Sequence, residues 1–65
     1  MYKNKIRDFR CEIGMNQEEL ARKTGISTGY LCHLEKGSRA NPSIQVMGKI
    51  AKVLGRNIAE IFFNM

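Results

Sequence analysis

Sixty-five residues supply one domain with one small core, which excludes a two-lobed enzyme with a substrate cleft between domains. Eleven lysines and arginines against six acids leave a formal charge of +5 and a pI near 9.6, a balance that points to a polyanionic partner, nucleic acid foremost. A hydrophobic content of 43% with a single proline excludes a disordered basic tail, and no run approaches the roughly 18 apolar residues that span a bilayer. The opening MYKNKIRDFR is charged and lacks the apolar core of a secretory signal, so residence in the cytoplasm is expected. Cys11 and Cys32 are then expected as reduced thiols. With His33 they are too few for a four-ligand zinc site, and no cofactor is called for.

Ile6, Phe9 and Ile13 recur at spacings of three and four, predicting a first helix from about Tyr2 to Ile13 with its charges on the other side and Gly14 as its stop. Asn16-Gln17-Glu18-Glu19 has the spacing of a reciprocal capping box and opens a second helix, with Met15 and Leu20 as a hydrophobic staple. Leu20, Ala21 and Thr24 face inward, Gly25 ends this helix after two turns, and Ile26 anchors the turn. Ser27 caps a third helix from Thr28 to about Lys36, with Tyr30, Leu31 and Leu34 inward and Gly37 closing it. Ser38 to Pro42 has loop chemistry. Ser43 or Asn41 caps a fourth helix bearing Ile44, Met47, Ile50, Ala51 and Leu54 on one face and stopped by Gly55. Gly48 inside it reads as a close helix contact, or else as a glycine merely tolerated at a cost of about 1 kcal/mol. Asn57 to Glu60 repeats the capping-box spacing and opens a short fifth helix with Ile58, Ile61 and Phe62 as its apolar side. The expected fold is all-α, a compact bundle of five short helices in a single domain over 1–65.

The informative feature is the pair of short helices within about 17–36, joined by a tight turn at Gly25. This is the layout of a helix-turn-helix, in which the second helix enters the roughly 12 Å major groove while the first lies across the backbone. Ala21 is small where the two helices cross, Gly25 permits the turn, and Ile26, Leu31 and Leu34 fix the angle. In order and spacing, NQEELARKTGIS, YLCHLEKG, NPS, IAKVLG and AEIFF resemble the Cro/repressor-type, or XRE-like, helix-turn-helix proteins of phages and bacteria, across nearly the whole chain.

The resemblance implies roles residue by residue. Gln17 matches the glutamine that clamps a phosphate at the start of helix 2. Thr28, Gly29 and His33 fall where the recognition helix meets base edges, with Cys32 on its flank, and helical spacing separately puts them opposite Leu31 and Leu34. Gly29 departs from the polar reader frequent at its position and lets the backbone approach DNA. His33 suits guanine or adenine according to tautomer, while Cys32 suits van der Waals contact with a thymine methyl. Ser27 and Tyr30 are expected at phosphates, although a purely structural tyrosine is equally consistent with the sequence. Lys36, Ser38 and Arg39 match the loop that neutralises flanking phosphates. Arg10 and Glu35 match a structural salt bridge between helices 1 and 3. Arg56 departs from the usual apolar residue before helix 5.

No nucleophile, base and orienting group recur at a recognisable spacing, so no enzyme is expected. The resemblance implies a transcriptional regulator of duplex DNA, foremost a homodimeric repressor on an inverted-repeat operator, bacterial or phage and associated with the nucleoid. The fifth helix and tail, about 57–65, are the expected dimerisation element through Ile61, Phe62, Phe63 and Met65, unless Phe62 packs within its own chain. The competing expectation is a protein-interaction module, such as an antitoxin or a regulator-sequestering subunit. An activator of the same family is the further alternative. Neither a membrane nor a small-molecule ligand is implied.

Overall fold

The chain folds where side-chain oxygens meet the orphan amides of each helix. A computed structural model describes residues 4–37 and 42–63, which form α1 (Ile6–Glu12), α2 (Gln17–Thr24), α3 (Thr28–Lys36), α4 (Ile44–Leu54) and α5 (Ile58–Phe62). Asn16, Ser27, Ser43 and Asn57 each accept a hydrogen bond from the backbone N–H three residues on. Ser43 is therefore the cap of α4. At Asn57 the box is complete, since Glu60 also accepts from the Asn57 amide at 3.1 Å. Between α2 and α3 the chain reverses through Gly25, whose φ of 77° is left-handed and disfavours any side chain. Its N–H donates to the Ala21 carbonyl at 2.8 Å, and the next amide, of Ile26, reaches the same carbonyl.

The core gathers Ile6, Leu20, Leu31, Leu34, Ile50, Leu54, Ile61 and Phe62. α2 packs on α3 and α4, α4 on α5, and α1 on both α4 and α5. Ala21 is buried in α2, the helix that packs on both α3 and α4. Thr24 is also buried but stays satisfied, because its hydroxyl donates to the Leu20 carbonyl at 2.7 Å. Among the described residues no helix is long and apolar enough to cross a membrane.

The structure corrects several expectations. α1 begins at Ile6, not near Tyr2, because Asn4 holds the preceding turn: its Oδ1 accepts from the Ile6 amide at 3.1 Å. Tyr2 lies outside the described residues. Ile13 is 51% exposed, since α1 stops at Glu12 and leaves it beyond the last turn, and Arg10 takes the buried place on that face. Ile44 is 68% exposed because it sits in the first turn of α4, overhanging the core. A Cβ at Gly48 would meet nothing within 4 Å, so no close helix contact requires this glycine. Finally, Ile61 and Phe62 are 0% and 1% exposed. The monomer's own core consumes both, which leaves neither free to face a second subunit.

Candidate nucleic-acid interface

Burial of Leu31 and Leu34 fixes the rotation of α3 about its axis. The opposite surface then presents Gly29 and His33 to solvent, Thr28 is exposed in the first turn, and Cys32 is half-buried. Nothing stands within 4 Å of a Cβ built at Gly29, so the backbone is open to close approach there. Ser27 is exposed, and its Oγ is engaged as an acceptor by the Tyr30 amide at 3.1 Å. Its hydroxyl hydrogen remains available to an acceptor outside the fold. Tyr30 is half-buried with its ring against the core, and Lys36 is exposed at the end of the helix. Ser38, Arg39 and Met65 lie outside the described residues.

The tilt of α3 is held from below by charge. Arg10 on α1 forms a two-pronged pair with Glu35, Nε to Oε2 at 2.8 Å and Nη2 to Oε1 at 2.9 Å. Its third arm, Nη1, donates to the Met15 carbonyl at 2.9 Å, just ahead of α2. Gln17 closes the set by donating from Nε2 to Glu35 Oε1 at 3.1 Å. Arg10 from α1 and Gln17 from α2 thus converge on a carboxylate of α3 whose side chain is only 4% exposed, and Arg10 links it onward to the Met15 turn. The hydrogen bonds it donates to Glu35 hold the Arg10 guanidinium above its ordinary pKa, against the opposing effect of burial. A raised pKa on a cation means that its contribution to folding is complete below the ordinary guanidinium range and disappears only as pH climbs through the raised value. Arg10 therefore contributes no pH dependence near neutrality.

The resemblance pairs Arg10 with Glu35 but misses that Gln17 joins them, so that this side chain is already oriented in the free chain. It also missed Asn4. That residue is 7% exposed, and its Nδ2 donates to the Leu34 carbonyl at 2.7 Å, tying the lead-in to α1 onto α3. The adjacent Lys5 amide donates to the Ile61 carbonyl at 2.8 Å, so the same short segment grips α5. An asparagine just ahead of an apolar helical stripe was the available signal, since it is a favoured capping residue. Arg56, unplaced by the sequence, lies with its guanidinium 4.5 Å from the centre of the Phe9 ring. It pairs with Glu12 at 2.8 Å and more loosely with Glu60 at 3.7 Å, joining α1 to α5.

The helix-turn-helix family model matches residues 6–61. An uncharacterised HTH-type transcriptional regulator of Archaeoglobus fulgidus is 43% identical over 60 residues, 92% of this chain and 84% of its own. The cryptic phage CTXphi transcriptional repressor RstR of Vibrio cholerae is 39% identical over 61 residues, 94% of this chain and 54% of its own, so the chain spans about half the length of that relative. Among solved structures, the biofilm master regulator SinR in complex with DNA superposes with a TM-score of 0.78 at 37% identity, covering 83% of this chain and 86% of that one.

Proposed function

The chain belongs to the helix-turn-helix family of DNA-binding transcriptional regulators, which are not enzymes, and from that premise we propose that it is a homodimeric repressor of an inverted-repeat operator. The observation that carries this reading is the outward surface of α3, where Thr28, Gly29 and His33 stand exposed on a helix whose angle Arg10, Glu35 and Gln17 hold. Thr28 and His33 read base edges, Gly29 admits the backbone, and Cys32 packs on a thymine methyl at the flank. Gln17, Ser27, Tyr30 and Lys36, with Ser38 and Arg39 beyond the described residues, take phosphates.

Residues 17–36 carry this interface within a single domain, and Phe63, 52% exposed beyond the end of α5, forms the two-fold contact with Met65. In this arrangement Ile61 and Phe62 support the contact from beneath. The two copies of α3 enter successive major grooves about 34 Å apart. The protein works in the cytoplasm, on the nucleoid, and represses by occluding a promoter, without a cofactor.

Selection from a randomised duplex pool tests this. Enrichment of an inverted repeat, bound more than about 10³-fold tighter than random duplex, is the expected result. Binding should also fall steeply with salt. A pool that returns no preferred sequence contradicts the operator-binding role and favours a protein-interaction module. In that case Phe63→Ser, rather than Arg39→Glu, is the variant that abolishes function.

A further inference from the structure

Beside α3, on the side facing α1, lies an open hollow of about 430 Å³ lined by Arg7, Arg10, Gln17, Cys32, Glu35 and Lys36. Its floor is electrically spent: Arg10 and Glu35 neutralise each other through two hydrogen bonds, and both side chains are almost wholly covered. The rim is not. Arg7 and Lys36 are exposed, and neither makes an ion pair among the described residues. Arg7 stands one helical turn before Arg10, on the same side of α1, and Lys36 one turn after Cys32, on the same side of α3. Two unpaired cations therefore flank a polar recess at the start of α2, where the Gln17 carboxamide is already held by Glu35.

We propose that Arg7, acting with Lys36 across this hollow, holds a backbone phosphate of duplex DNA, which makes α1 a third element of the interface beside α2 and α3. This rests on the duplex-DNA reading above and extends it to a helix to which that reading assigns only support. The chemistry suits a phosphodiester. Its single charge meets a net-positive rim, and a planar guanidinium can donate to two of its oxygens at once. Such a contact positions α3 in the groove without reading sequence, so its loss affects all duplexes alike.

The experiment measures binding against salt for the whole chain on the selected duplex and on random duplex. Arg7→Gln, an exposed substitution expected to leave the unfolding midpoint unchanged, should flatten the log–log salt slope by about 0.9 on both duplexes. Arg7→Lys should keep the slope. The control is Lys52→Gln, which removes the same charge from a separate hollow that Lys52 lines with Lys23 and Lys49, and which should leave the slope as it is. An Arg7→Gln slope no flatter than that of the Lys52→Gln control overturns the proposal while leaving the duplex-binding reading intact. Failure of the wild-type chain to bind any duplex overturns both. Inorganic phosphate, titrated alone and followed by the Arg7 side-chain NMR signal, separates the two sources of the anion. No saturable shift is expected, and a saturable one would assign the hollow to free phosphate and overturn the proposal.

Discussion

Two arginine–glutamate pairs tie α1 to the rest of the molecule at the same distance, 2.8 Å, in opposite surroundings. Arg10 and Glu35 have side chains 11% and 4% exposed, while Arg56 and Glu12 are 38% and 58% exposed. Distance alone would rank them equal. Burial separates them, because water screens and competes for the outer pair, whereas the inner pair has given up its hydration and depends on its partner. The inner pair also has no slack: the three donating arms of Arg10 and the carboxylate of Glu35 are committed, with Gln17 added. It fixes the orientation of α3, while the outer pair fastens a corner.

The largest expected effect follows from breaking the inner pair on one side. Glu35→Ala strands the Arg10 guanidinium and should cost about 3–5 kcal/mol in urea unfolding. A chain of this size is stable by only about 3–10 kcal/mol, taking roughly 0.05–0.15 kcal/mol per residue, so the variant should sit near the edge of folding. Replacing both partners with apolar residues, Arg10→Met with Glu35→Leu, should recover most of that stability. Operator affinity should stay impaired in the double variant, since α3 is no longer held to Gln17 and Met15. Full recovery of binding would show that the pair orients nothing.

A smaller loss is expected at Asn4. Asn4→Ala removes the donor to the Leu34 carbonyl and the acceptor for the Ile6 amide, a cost of about 1–3 kcal/mol by the same measurement. The outer pair comes next. Arg56→Ala should cost about 1 kcal/mol, combining a weak exposed bridge with loss of the stack on Phe9. Part of that difference should vanish in high salt, whereas the Glu35→Ala difference should persist. Gly48→Ala gives the smallest effect and the opposite sign. With nothing near its Cβ, it should stabilise by about 0.5–1 kcal/mol, read as a higher unfolding midpoint.

The same contrast explains what the sequence made legible. Caps and stops are local chemistry, so Asn16, Gly25, Ser27 and Asn57 announced their helices without help from the rest of the chain. The inward faces of α2 and α3 followed from apolar spacing, and they left Thr28, Gly29 and His33 outward. Apolar residues at helix ends misled: Ile13 and Ile44 continue the stripes in sequence but overhang the core in space. Thr24 aside, which shares the inward face of α2, polar and charged residues that turn inward escape periodicity, because it counts side-chain type and cannot count partners. Arg10 was placed by resemblance. Asn4 and the third member of the Glu35 cluster, Gln17, needed the packed structure, since their partners are thirty and eighteen positions away. At Gly48, spacing could not tell a glycine that is required from one that is tolerated.

The most direct test of the central claim is to add the selected operator half-site to the isotopically labelled chain and map the backbone amide signals that move. Shifts are expected to concentrate at Gln17, from Ser27 to His33, and at Lys36, with the Lys23, Lys49 and Lys52 side of the molecule quiet. Shifts centred on that lysine side or on α5, with the start of α3 unmoved, would contradict that claim.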